Sequence, residues 1–228
     1  RAWILGVDGK FIDYIGVERP PVDYGFEKDM YGKLLMPGLI NCHAHSAMNL
    51  LKGLGNDLPL IDWLHTVWPV EDRMRDEDFT SGMEMVILEM LACGTTSFSD
   101  MYWRPSVTQR VIGESGIKAD LTRVMMGGSS DTDYLTYPKR VESMGLFQEF
   151  DGAYDGRLHI DWSVHAEYTI DETFAEKWAE EIQTLGGRLH IHLSETKSEQ
   201  EECIERHGVT PAVWFDNLGF FNIPTYAA

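Results

Sequence analysis

One pattern limits the fold of this chain more than any other. From residue 39 to its last residue, short apolar runs alternate with longer amphipathic ones. Strands are expected to begin near residues 39, 95, 118, 158 and 188, and Ile223–Ala228 reads as the opening of a sixth. Between them lie segments with helical spacing: Leu58–Glu71, Asp76–Ala92, Val107–Ser115, Tyr137–Phe150, Asp171–Leu185 and Glu195–Arg206, then a short helix from near Pro211. In Asp76–Ala92 the residues Met83, Val86, Ile87, Met90 and Leu91 form a stripe of period 3.6, and Gly94 sits where a helix-ending glycine belongs. In Asp171–Leu185 the apolar side is Phe174, Trp178, Ile182 and Leu185, opposite Glu176, Lys177, Glu180 and Glu181, with Asp171 as N-cap.

Strand and helix in strict alternation mean an α/β fold, a parallel sheet with crossover helices. A closed barrel and an open doubly wound sheet both satisfy it, and the polar residues choose between them. His43 and His45, Asp100, His165 and His192 all fall at the carboxyl ends of expected strands. In a barrel those ends ring one mouth, whereas in an open sheet they are strung along an edge. The expectation is therefore a (β/α)8 TIM-type barrel, incomplete here at about five to six strands. Unpaired strand edges are costly, so we expect the chain to be part of a longer protein or to be completed by another chain. Residues 1–38 read as a separate N-terminal β segment, a hairpin around Asp8-Gly9, and residues 39–228 as the barrel domain.

Composition narrows the partners. The chain has 228 residues, of which 43% are hydrophobic, enough for a real core. A formal net charge of −18 argues against nucleic-acid and anionic-membrane surfaces. No apolar run reaches the ~18 residues of a membrane span. Cys42, Cys93 and Cys203 are widely separated and form no CxxC, which fits a reducing compartment and a cytoplasmic location.

The chemistry begins at Met36–His45, an apolar strand entered through Pro37-Gly38. Residues i and i+2 of a strand share a face, so His43 and His45 project together, as two ligands of one metal ion must. A second pair, His190-Ile191-His192, closes the fifth strand. His192 is nearer the carboxyl end and is the better third ligand, while His190 reads as a satisfied interior histidine one layer deeper. Three neutral imidazoles suit one divalent ion, Zn²⁺ first, with Fe or Mn as alternatives. Glu195 could serve as general acid/base, or simply favour a helix N-terminus. His165 could meet substrate or a leaving group, or be a mouth histidine bonded to a neighbour. Asp100 could support a ligand or cap a turn. His65, His159 and His207 show no partner pattern and read as structural or exposed.

The stretch Leu35–His45 with Ser46–Gly53 resembles the metal-binding opening of the amidohydrolase superfamily. The branch it resembles is that of the S-adenosylhomocysteine/methylthioadenosine deaminases, with their cytosine-, guanine- and chlorohydrolase-type relatives. Asp57–Leu64, Trp68–Glu71, Gly94–Tyr102 and His190–Thr196 carry the same resemblance, which runs along essentially the whole chain. It implies a (β/α)8 barrel, residues 1–38 as part of a composite β-sandwich, and His43, His45 and His192 as metal ligands. It implies Glu195 as proton shuttle and His165 as a substrate-contacting catalytic histidine. Trp63 and Glu71 would shape the sugar end of a nucleoside pocket. The superfamily's further ligands, a strand-six His and a strand-eight Asp, would lie beyond the sixth strand. Members with two metals carry a lysine at the end of strand four. Here that strand ends Ser163-Val164-His165, which favours one metal. The implied reaction is hydrolytic deamination of an aminopurine nucleoside of the adenosine type. Alternatives are another heterocycle (guanine, cytosine or a chlorinated triazine) or a catalytically incomplete fragment needing a partner. The expected partners are a small-molecule nucleoside or heterocyclic amine and a second copy of the chain in a homo-oligomer, with no nucleic acid and no membrane.

Overall fold

The computed structural model describes residues 3–228. The chain divides into two compact units, Arg1–Pro37 and Gly38–Ala228. In the first, β1 (Ile4–Asp8) and β2 (Phe11–Gly16) pair antiparallel, with a register shift between Gly6 and Val7. The turn between them places Gly9 at φ 57°, a left-handed conformation that glycine adopts at little cost. Tyr24 closes over this hairpin, its hydroxyl donating to Asp13 at 2.5 Å.

The second unit holds a six-stranded sheet in the order β3-β4-β5-β6-β7-β8, every neighbouring pair parallel. Its strands are β3 (Leu39–Ala44), β4 (Thr95–Tyr102), β5 (Lys118–Arg123), β6 (Leu158–Val164), β7 (Leu189–Ile191) and β8 (Thr225–Ala227). Each crossover carries helix: α1 (Leu60–Glu71) and α2 (Asp76–Ala92), α3 (Pro105–Ser115), α4 (Pro138–Phe150) with the single turn α5 (Ala153–Gly156), α6 (Glu172–Leu185), then α7 (Lys197–His207) and α8 (Pro211–Asn217). The expected α/β class and the parallel strand sequence are thus observed.

The sheet curls into the arc of a barrel. Strands β3 and β7 are four spacings apart in order, roughly 19 Å in a flat sheet. Yet His43 on β3 and His190 on β7 approach to 2.8 Å, so the sheet must bend toward its own face. The alternation of side chains decides what lies inside the arc. On β6, Trp162 and Val164 pack outward with Trp178 and Phe174 of α6, and on β7 Leu189 and Ile191 join them. The intervening residues Asp161, His165, His190 and His192 therefore face inward. A second outer cluster joins Met83, Ile87 and Met90 of α2 to Phe98, Ile112 and Leu121.

Low in the arc, the Arg188 guanidinium binds Asp120 at 2.6 Å and Asp161 at 3.0 Å, and the Tyr226 hydroxyl donates to Asp161 at 2.8 Å. These bonds tie β5 and β6 to Arg188, the residue before β7, and β8 to β6.

Several element ends differ from expectation. Strands β5 and β7 are shorter than the apolar runs Ile117–Met125 and Arg188–Leu193: β5 ends at Arg123, level with the last residue of β4, and β7 ends at Ile191, level with the last residues of β6 and β8. Helix α7 begins at Lys197 rather than Glu195, since Thr196 caps it by accepting from the Glu199 N–H. The linking segment after His45 is a 3-10 helix, Ser46–Leu51. Leu91 and Leu185, expected in the core, are 45% and 40% exposed.

Candidate functional site

The inward histidines of β3 and β7 meet at the carboxyl end of the sheet. His43, His45 and His192 each offer a ring nitrogen, and the three atoms lie within 4.8 Å of one another, so together they could hold a metal ion. The His192 Nε2 is 3.2 Å from His43 Nε2 and 3.3 Å from His45 Nε2. Nitrogens bound tetrahedrally at ~2.0–2.1 Å from a zinc ion stand about 3.3 Å apart. Facing lone pairs repel, so this spacing is one that a cation among them stabilises.

The far side of each ring explains why the lone pairs converge. His45 donates from Nδ1 to the Met101 carbonyl at 2.6 Å. His192 donates from Nδ1 to the His165 carbonyl at 3.0 Å, and that same carbonyl accepts the His192 backbone N–H at 2.9 Å. A carbonyl can only accept, so both rings carry their proton on Nδ1 and present bare Nε2. His43 contacts His190 through Nδ1 at 2.8 Å. Burial keeps the rings neutral: it lowers the His43 pKa to about 4, with the neighbouring His45 and His192 adding to the shift, and it lowers those of His45 and His192. Neutral imidazoles with aligned nitrogens are the donor set that a divalent transition metal requires, and the residues fit such an ion.

Beside this cluster a cavity is walled by His45, Trp63, Trp68, Glu71, Tyr102, Trp103 and His165. The structure thus brings the sequence-picked Trp63, Glu71 and His165 to one space next to a candidate ligand. Glu71 is buried, not an exposed helix-end carboxylate, because it accepts the Tyr102 hydroxyl. Burial raises its pKa, against the hydrogen bonds from Tyr102 and Trp103. His165 has its pKa pushed down to about 3 by burial and by the other histidines, and its Nδ1 is buried without a partner.

Glu195 stands exposed at the mouth, yet the groups around it remove enough water to raise its pKa, against the attraction of His45. It lies in the turn before α7, not inside the helix. That turn is held by Glu199, whose two carboxylate oxygens accept the Ser194 N–H at 3.1 Å and the Glu195 N–H at 2.7 Å. Ser194 sits at φ 58°, a left-handed conformation costly for a non-glycine residue. Sequence reasoning missed Glu199, although Thr196-x-x-Glu199 is a capping-box signature that pointed to it. It also missed Tyr102, for which no local signal exists.

Other expectations need correction. His190 is interior but not satisfied, since its Nδ1 has no partner. Asp100 caps the turn after β3, accepting the Ser46 N–H at 2.6 Å, rather than the turn that follows its own strand. His207 is structural, as expected: it meets Glu167 at 2.8 Å, and Arg206 binds the same carboxylate at 2.7 Å and 3.1 Å. Glu167 is only 2% exposed, so this cluster pins the loop after His165 to the end of α7.

The sequence profile of the Amidohydrolase family matches residues 34–223. The chain belongs to the amidohydrolase family. This amidohydrolase is 37% identical, over 98% of its length and 52% of the relative's, to a 5-methylthioadenosine/S-adenosylhomocysteine deaminase of Pelotomaculum thermopropionicum. It is 35% identical to the protein of the same name in Acetivibrio thermocellus, with the same coverages of 98% and 52%. The chain thus spans about half the length of these curated relatives. Among solved structures, a zinc-bound adenosine deaminase from Xanthomonas campestris superposes with a TM-score of 0.76 at 29% identity, covering 84% of this chain and 44% of that one. A guanine deaminase from C. acetobutylicum with bound guanine gives 0.85 at 19% identity, over 97% and 55%, a likeness of fold.

Proposed function

We propose that this amidohydrolase is a metal-dependent deaminase that hydrolyses the exocyclic amine of an adenosine-type nucleoside, with His43, His45 and His192 holding one divalent ion, zinc foremost. The carrying observation is the convergence of three neutral Nε2 atoms at the sheet's carboxyl end, beside a cavity that contains a buried carboxylate. The relatives named as deaminases of 5-methylthioadenosine and S-adenosylhomocysteine support the nucleoside, and the zinc in the adenosine deaminase structure supports the metal.

A bound divalent ion supplies a Lewis acid that makes water nucleophilic at neutral pH. The chain's own residues do the rest. Glu195, whose pKa burial raises, passes a proton from the attacking water to the ring nitrogen beside the carbon under attack. His165 offers its unpartnered Nδ1 to the substrate's heterocycle or departing amine. Trp63 lends an apolar wall, and Glu71 accepts from sugar hydroxyls while Tyr102 steadies it. The balance is one water consumed, one ring carbonyl formed and one ammonia released.

The test is ammonia release by the full-length protein from 5-methylthioadenosine, S-adenosylhomocysteine, adenosine and guanine, alongside its metal content. We expect turnover of the 5′-modified adenosines and about one equivalent of metal, and no release from any aminopurine would sink the reading. Replacing His192 by alanine is expected to weaken metal retention and lower turnover, because only two of the three imidazoles that converge here remain to hold the ion.

A further inference from the structure

His190 lies on the inner face of β7, two residues before His192, with no exposed surface. Its Nε2 makes one hydrogen bond, to His43 Nδ1 at 2.8 Å, and its Nδ1 is buried without a partner. The aromatic ring of Tyr226 packs against it with centroids 4.3 Å apart. So His190 is wholly enclosed, and the use made of its polarity is the contact with His43.

That contact differs from those of the other two rings. Met101 and His165 orient His45 and His192 through carbonyls, which leave no choice of tautomer. His43 is oriented by a group that can either give or take a proton. With the shared proton on His43 Nδ1, its Nε2 is a bare lone pair aimed at His45 and His192. With the proton on His190 Nε2, the His43 Nε2 carries hydrogen and cannot ligate. One of the three candidate ligands is therefore set by a neighbouring side chain and not by the backbone.

We propose that His190 is a positioning residue for the metal centre: its Nε2 accepts the His43 Nδ1–H and so holds His43 in the tautomer and ring orientation that bind the ion. This rests on the assignment of His43, His45 and His192 as ligands. Such outer partners typically change metal affinity by about 10–100-fold when lost.

The experiment measures zinc affinity of the full-length protein by chelator competition, and the visible absorption of its cobalt(II) form, for wild type and three variants. His190→Gln places an amide acceptor where Nε2 was. His190→Asn keeps a polar amide but is one methylene too short to reach His43. His190→Leu removes the acceptor. Circular dichroism of the metal-free proteins establishes that each compared variant is folded, and the Gln/Asn pair carries the test should the leucine variant not fold. We expect zinc affinity to fall about 10–100-fold in the leucine and asparagine variants, with an altered cobalt spectrum, and His190→Gln to recover most of both. Folded leucine or asparagine variants that bind as tightly as wild type overturn the proposal. So does a glutamine variant as weak as the asparagine one, which would make the role one of packing. A wild-type protein that takes up no metal overturns the ligand assignment itself, and this proposal with it.

Discussion

At the scale of single residues, the site depends on carboxylates that are not themselves placed at the chemistry. Glu199 is 4% exposed and accepts two backbone N–H groups of the turn that carries Glu195. A fully buried donor left bare costs roughly 1–3 kcal/mol, and these two N–H groups are part-buried. Glu199→Ala is therefore expected to destabilise the protein by about 2–4 kcal/mol in urea unfolding. It is also expected to lower kcat more than it raises KM, since Glu195 loses its fixed position. An unchanged kcat would show that Glu195 needs no such anchoring. Tyr102→Phe removes the hydroxyl that Glu71 accepts, for an expected loss of about 1–2 kcal/mol and a higher KM for nucleosides. The paired histidines were legible because a strand's period of two is strict, so His43 with His45 and His192 with its strand end followed from spacing. The anchoring of Glu71 was not, because Tyr102 lies 31 residues away in sequence and only the fold brings the two together.

At the scale of elements, what the apolar stripe dictates and what it cannot are both visible in α6. Phe174, Trp178 and Ile182 are buried as their spacing requires, and Asp171 caps the helix by accepting the Phe174 N–H at 3.2 Å. Leu185 continues the stripe but is exposed, because periodicity says which side of a helix is apolar and not how far along it burial extends. Trp178 has no exposed surface, and Trp178→Ala is expected to cost about 3–5 kcal/mol, against ~1 kcal/mol for Asp171→Ala; chemical denaturation separates the two. Between strands the Arg188 bridge was not foreseeable, since its partners come from β5 and β6. The Asp161 side chain is 2% exposed whereas Arg188 is 43% exposed, so the carboxylate depends on the bridge more than the guanidinium does. Arg188→Met leaves Asp161 buried with one donor from Tyr226, and a loss of about 2–3 kcal/mol is expected, below the usual range for breaking a fully buried pair.

For the whole molecule, the enclosed titratable groups set how stability varies with acidity. Burial holds His43 near 4, His165 and His190 near 3, and His45 and His192 below their ordinary 6.5. As pH falls below 6.5 the unfolded chain binds protons that these folded rings refuse, so stability drops. Asp100 and Asp161, pushed up by burial to about 6 from 3.8, and Glu71, Glu195 and Glu199, which burial also raises, act in the opposite sense: the folded state takes up their protons first. The unfolded histidines begin to bind protons near 6.5, before Asp100 and Asp161 do so in the folded state near 6, and the thermal midpoint of the metal-free protein is expected to fall between pH 7 and pH 6; a rise over that interval would contradict the histidine burial. The same cluster has a consequence for rates. His43 and His192 are 149 residues apart in sequence and meet only after β3 to β7 have been laid side by side and curled. A bond between them through an ion needs that arrangement complete, so it is expected to add nothing to the speed of assembly. It acts on the reverse journey. The metal-loaded protein should refold at the pace of the metal-free one and unfold far more slowly, a latch that engages only when the last piece is home.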